Sequence, residues 1–274
     1  MTVFLKVKKT DKAFLIEKLK LGLDEVKTQY EIFRLKNRDI SMVLFNSGKL
    51  VLQGKDENVM YYSKLLKSSG FVEQKKIEFV KQEGIYIGSD ESLKGDTFGG
   101  IVVVGVRANN IQRENLKMLG VMDSKKIKDK DIGAYSDEIR KMVKVSVQNL
   151  PPNKYNAYKF GLTKLMNKLH KEVYADLKQS SVKSKWVVDK YPGCNVGDIA
   201  VIKAESKYVE VAAASIIARD FALQQLAKLS AKLGIKVPKG SSHVQSALEY
   251  LKKSKRDPKQ YVKMNWSNVQ EVFG

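Results

Sequence analysis

Cysteine is all but absent: the single Cys194 can form no internal disulfide, and with only two histidines, His170 and His243, it supplies no zinc cluster. Long apolar runs are missing too. None approaches the roughly 18 residues a membrane-crossing helix requires. The opening stretch "MTVFLKVKKT" lacks the apolar core of a secretory signal. A cytoplasmic location and no membrane partner are therefore expected. Acidic residues are scarce against basic ones, 30 Asp and Glu to 50 Lys and Arg, for a net charge of +20 and a pI near 9.7. Such an excess favours a polyanionic partner, most commonly nucleic acid. The competing reading is a lysine-rich composition with no partner behind it, since Lys far outnumbers Arg. The excess is not confined to one region: residues 1–84 carry 17 basic and 11 acidic side chains, the remainder 33 and 19. That spread suits two modules gripping one polyanion.

What is present can build a sizeable core. With 274 residues, 43% of them hydrophobic, the chain holds one large domain or two ordinary ones. "TVFLKVK" alternates as a strand does, and "TDKAFLIEKLKLGL" follows with Leu15, Leu19 and Leu23 at helical spacing. "YEIFRLKN", "ISMVLFN" and "KLVLQGK" predict three short strands, the last two joined at "NSG". "ENVMYYSKLLKSSG" predicts a helix ending at Gly70. The order β-α-β-β-β-α predicts a small α+β domain over 1–70, an antiparallel sheet with helices on one face and the other free to bind. Residues 71–84, charged and weakly patterned, are expected to be a linker. Over 85–274, "GIYIGSD" and "GGIVVVGVRA" predict a buried hairpin, "VKVSVQNL" a strand, and "NAYKFGLTKLMNKLHKEVYADL" one long amphipathic helix. "SKWVVDKY" and "DIAVIKAES" hold short strands, and "VEVAAASIIARDFALQQLAKL" a helix. This predicts an α/β domain with a mixed sheet.

Three of these strands share a feature: an apolar run that ends in a carboxylate. They lead to Asp90 with Glu91, to Asp189 and to Glu205. In open α/β sheets ligand sites form at strand ends. Four carboxylates converging there repel one another unless cations hold them, and Mg²⁺, a hard cation bound through carboxylates and phosphate oxygens, is the natural one. Two such ions about 4 Å apart would clamp the attacking and leaving oxygens of a phosphodiester. Adjacent residues of a regular strand face opposite ways, so Asp90 is expected to finish its strand and Glu91 to lie in the turn. Taken singly, each acid could equally be a turn former or helix cap; it is the joint pattern in a basic chain that points to chemistry.

The motifs "GSDESLKGDTFGGIVV", "MDSKKIKD", "YNAYKFGLTKLMNKLH", "WVVDKYPG", "KAESKYVEVAAASIIARDFAL" and "VPKGSSHV" resemble, in this order, those of ribonuclease HIII. The resemblance covers almost the whole chain. The Glu of "KAES", where ribonuclease HII has Asp, and the N-terminal α+β region both favour HIII over HII. It implies a ribonuclease H-like catalytic domain over 85–274, with a central mixed sheet flanked by helices. It also implies a TATA-binding-protein-like substrate-binding domain over 1–70. Asp90, Glu91, Asp189 and Glu205 would be the catalytic, metal-binding acids, holding two Mg²⁺ or Mn²⁺ ions. The implied partner is an RNA–DNA hybrid whose RNA strand is cut to 5′-phosphate and 3′-hydroxyl ends, by a protein expected to be monomeric.

Substrate contacts are expected from Lys94, Gly95, Ser124, Lys125 and Lys126. The family's Gly-x-Gly-Asp is here Leu93-Lys94-Gly95-Asp96, and its Pro after "FG" is Gly100. A leucine does not take positive φ cheaply, so a remodelled turn is expected there. Two alternatives stay open: a nucleic-acid-binding protein with reduced or lost catalysis, and ribonuclease HII-type cleavage at single ribonucleotides in DNA. Asp123 reads as a helix cap, and Asp220 as an exposed or salt-bridged acid. Lys203 and Lys207 read as neighbours that orient Glu205, touch phosphate or are simply solvated, Tyr155 and Asn156 as structural or DNA-strand contacts. His170 and His243 read as ordinary polar positions; Tyr61, Tyr62, Phe45 and Phe33 as core.

Overall fold

A computed structural model describes residues 2–73, 79–122 and 124–274. The chain divides into two compact units, Met1–Glu78 with Met118–Gly120, and Phe79–Lys117 with Val121–Gly274.

In the first unit, β1 (Thr2–Leu5), α1 (Lys12–Leu19), β2 (Gly22–Asp24), β3 (Glu31–Lys36), β4 (Ile40–Phe45), β5 (Leu50–Gly54), α2 (Asp56–Ser68) and β6 (Val72–Glu73) follow in order. The strands form one sheet ordered β2-β3-β4-β5-β1-β6, every pair antiparallel. Alternation directs Phe33, Leu35, Met42, Leu44, Leu50 and Leu52 to one face, where Leu15 and Leu19 of α1 and Val59, Tyr62 and Leu66 of α2 complete the core. Two strands went unpredicted, β2 and β6, the latter in the segment read as linker. Both are edge strands of two or three residues, too short to show a period. The opposite face is less open than expected: Val43 and Val51 are also buried. Tyr61 is exposed, whereas Phe33 and Tyr62 are core.

The second unit contains β7 (Ile85–Ser92), β8 (Ile101–Ala108), α3 (Asn110–Leu119), α4 (Asp129–Met142), β9 (Lys144–Leu150), α5 (Pro152–Ala157), α6 (Leu162–Leu177), β10 (Ser184–Asp189), β11 (Ile199–Val201), α7 (Val209–Leu233), α8 (Gln245–Lys253) and α9 (Ser267–Phe273). Its sheet is ordered β11-β10-β7-β8-β9; β7, β10 and β11 run parallel, and β8 and β9 are antiparallel to their neighbours. The C-terminal ends of β7 and β10 therefore lie side by side. Helix α6 covers one face through Leu165, Leu169 and Val173 against Ile87 and Val103. Helix α7 covers the other so closely that a Cβ on Gly88 would lie 2.5 Å from the Val211 nitrogen. The single long helix expected from residue 156 onward is two, α5 and α6, because Gly161 at φ 83° breaks the chain between them.

Candidate active site

Strand β7 does not stop at Asp90. It pairs regularly with β8 through Asp90↔Val104, Glu91↔Val103 and Ser92↔Val102, so the expectation that Glu91 sits in a turn is wrong. The two acids keep the strand's alternation and approach from opposite faces. Asp90 lies on the α7 side, where Ser215 bonds its carboxylate. Glu91 lies on the α6 side, its Oε2 3.4 Å from His170 Nε2. The strand end brings both into one cavity of about 330 Å³. Asp189, the last residue of β10, joins them there and accepts a 2.9 Å bond from the Ala204 amide. Glu205 enters from a single 3-10 turn, Ala204–Ser206, launched by Lys203 in the left-handed conformation (φ 58°). All four sequence-predicted acids thus line one cavity.

Burial, then the neighbouring Glu91 and Asp189 charges, push the Asp90 carboxyl well above the ordinary range. Burial, with Glu91 adding to it, also raises Asp189. For Glu91 burial alone would do the same, but His170 and Lys94 outweigh it and hold the carboxyl below its usual value. The acids are tied to protein groups, and among the described residues no three His, Cys, Asp or Glu side chains already enclose an ion-sized space. Their chemistry nonetheless fits a hard divalent cation: the donors are all carboxylate oxygens, and the mutual repulsion that disfavours ionised Asp90 is what a bound dication relieves.

The turn behind the acids keeps a glycine-like shape without the glycine. Leu93 adopts φ 66° while its side chain is buried at 4% exposure. Gly100, in place of the family's Pro, donates its amide to Gln225 Oε1 at 2.6 Å, a bond a proline could not make. A Cβ there would lie 2.1 Å from the Leu150 carbonyl.

Among the expected substrate contacts, Lys94 is bound to Glu91 Oε1 at 2.5 Å, Gly95 is exposed, and Lys125 is an exposed cation on the cavity rim. Ser124 is buried, its hydroxyl 2.7 Å from that of Ser215; Lys126 is exposed but does not line the cavity. Asp123 lies outside the described residues. Asp220 is buried, not exposed, and accepts from Gln224. Asn156 is structural, bonding the Lys259 and Val262 carbonyls and the Met264 amide. Lys203, Lys207 and His243 are exposed.

Sequence reading missed three residues. Arg219 and Lys239 line the cavity, both paired with Asp129. His170 is fully buried beneath Glu91. A signal existed for His170: it falls one turn after Met166 on the apolar stripe of its helix, where an imidazole needs a reason to be.

The chain is thus a basic protein whose mixed α/β unit gathers four acids in one cavity beside the ends of two parallel strands. Comparison with known proteins narrows the class. The family model for Ribonuclease HII matches residues 87–269. The Ribonuclease HIII of Aquifex aeolicus is 30% identical over 90% of this chain and 91% of its own. That of Streptococcus agalactiae is 32% identical over 78% and 77%. Among solved structures, Bst-RNase HIII in complex with Mn²⁺ superposes with a TM-score of 0.62 at 23% identity, covering 99% of this chain and 98% of that one. Aquifex aeolicus RNase H3 gives 0.58 at 27%, covering 96% and 99%. The chain belongs to the ribonuclease HII/HIII family, and the relatives that match it along most of its length are ribonucleases HIII.

Proposed function

We propose that this protein is an endonuclease that hydrolyses the RNA strand of RNA–DNA hybrids, leaving 5′-phosphate and 3′-hydroxyl ends. The observation that carries the reading is the convergence of Asp90, Glu91, Asp189 and Glu205 in one cavity. These residues would hold two divalent ions, Mg²⁺ or Mn²⁺. When bound, such ions activate water and stabilise the charge that develops on the leaving oxygen. That a structural neighbour was crystallised with Mn²⁺ agrees with this.

The remaining chemistry belongs to side chains of the chain itself. Ser215 and the Glu91 amide fix the Asp90 carboxylate, and the Ala204 amide fixes Asp189. Lys94, half exposed, neutralises Glu91 and is placed to exchange that partner for a phosphate. Lys125, Arg219 and Lys239 give the cavity a cationic rim suited to a phosphodiester backbone. Lys94, Gly95, Ser124, Lys125 and Lys126 remain the proposed substrate contacts, and residues 1–70 the module that adds hold on the hybrid. The 2′-hydroxyl is the group by which RNA is told from DNA. The left-handed backbone at Leu93 is one a glycine would also take, which supports an active enzyme over the alternative of a binding protein with reduced or lost catalysis.

The test is cleavage of a labelled RNA–DNA hybrid with Mg²⁺, Mn²⁺ or EDTA, alongside a DNA duplex carrying one ribonucleotide. Internal cuts in the RNA of the hybrid, abolished by EDTA, are expected. Cleavage of the single-ribonucleotide substrate alone would mean a ribonuclease HII-type enzyme instead, and metal-independent cleavage would refute the site.

A further inference from the structure

Three buried side chains stand behind Glu91 in a row. Trp186 Nε1–H can only donate, and it donates to Ser89 Oγ at 3.1 Å. Ser89 Oγ also lies 2.9 Å from His170 Nδ1, to which its hydroxyl can donate. His170 Nε2 faces Glu91 Oε2 at 3.4 Å, a geometry that suits a proton on Nε2 with Nδ1 accepting from Ser89. The other tautomer would aim an imidazole lone pair at a carboxylate oxygen. Ser89 and His170 are fully buried and Trp186 is 7% exposed, so water does not compete for these positions. Neither His170 Nε2 nor Glu91 Oε2 has a hydrogen-bond partner among the described residues.

Glu91 is thus gripped unequally. Its Oε1 meets Lys94, whose side chain is 43% exposed, while its Oε2 meets a fully buried ring held by Ser89 and Tyr191. The ring stacks obliquely on Tyr191, centroids 5.5 Å apart. Tyr191 in turn donates to Asn167 of the same helix α6 at 2.8 Å. A separation of 3.4 Å is longer than a good N–H···O bond, so a small turn of the carboxylate, released from Lys94, closes it. His170 does not line the cavity and cannot touch a substrate there.

We propose that His170 is a positioning residue: held by the Trp186–Ser89 pair, it orients the Glu91 carboxylate for divalent-metal binding. This rests on Glu91 being a metal ligand, as proposed above. Partners of ligating groups typically carry 10–100-fold of metal affinity or activity.

The experiment measures Mn²⁺ binding directly, from the electron paramagnetic resonance of free Mn²⁺ over the full-length protein without nucleic acid, together with kcat and KM on the hybrid. For His170→Ala we expect Mn²⁺ affinity and kcat each to fall by roughly 10–100-fold, with KM little changed. His170→Gln, whose amide N–H reaches toward the same oxygen, should recover most of the loss. Ser89→Ala, which removes only the hydroxyl that meets the ring's other nitrogen, should give a smaller loss and add nothing to His170→Ala. Should His170→Ala fail to fold, Ser89→Ala and His170→Gln carry the comparison. Wild-type Mn²⁺ affinity and kcat in the folded variants would overturn the positioning role while leaving the metal site intact. A wild-type protein that binds no Mn²⁺ would overturn the metal site itself, and this inference with it.

Discussion

At φ 66° the backbone of Leu93 occupies a region that costs an L-residue roughly 1–2 kcal/mol. Its buried side chain, packed toward Gly99, offsets that, since full burial of a leucine is worth about 1.5–3 kcal/mol. A leucine at this position therefore exchanges backbone ease for apolar contact. Leu93→Gly should relieve the strain yet lower stability by about 1–3 kcal/mol, because a cavity opens and a flexible residue is added to the unfolded chain. Urea denaturation would read this, and cleavage should stay within a few-fold of wild type. A more stable Leu93→Gly protein would contradict the balance. The four acids were legible at this scale because each closes a local apolar run. The reason given for the Asp90–Glu91 pair was not, since the strand's true end depends on its pairing with β8. Nor was His170, whose meaning arises only when α6 is laid over β7.

At the scale of elements, the loop behind the acids is held by the C-terminal segment rather than by its own sequence. Lys263 Nζ donates to the Asp96 carbonyl and its amide to that of Thr97. Asn268 bonds Thr97 Oγ1, and the Gly240 amide meets Asp96 Oδ1 at 2.6 Å. These partners lie more than 140 positions away, so no window of sequence reveals them. Lys263 is fully buried between Tyr155 and Trp266, and burial lowers its pKa to about 7 from 10.5. Between those values the unfolded chain holds a proton the folded protein has released, so this group makes stability rise with pH, by at most about 1.4 kcal/mol per unit. Lys263→Met should remove that rise. Urea midpoints at pH 7 and pH 9 would then show wild type gaining on the variant, and an unchanged gap would contradict the assignment. Long strands and amphipathic helices were legible from their periods. The short edge strands β2 and β6 were not, and the break at Gly161 was hidden within one continuous apolar stripe.

For the molecule as a whole, the charge excess was legible in composition alone, and it defines the setting in which an acidic cluster is unusual. A net +20 protein suits a polyanionic partner, yet it gathers four carboxylates in one cavity. Without a dication the cluster works against the fold, because burial, Glu91 and Asp189 all disfavour ionised Asp90. The most direct measurement is thermal denaturation of wild type and Asp90→Asn, in EDTA and in saturating Mn²⁺, with hybrid cleavage assayed on the same samples. Asp90→Asn should melt higher than wild type in EDTA, at about 2–4 °C for each kcal/mol of repulsion removed. Mn²⁺ should raise the wild-type midpoint by several degrees and that of the variant far less, and the variant should not cut RNA. Equal Mn²⁺ shifts in the two proteins, or wild-type cleavage by Asp90→Asn, would contradict the assignment of these acids to a catalytic metal site.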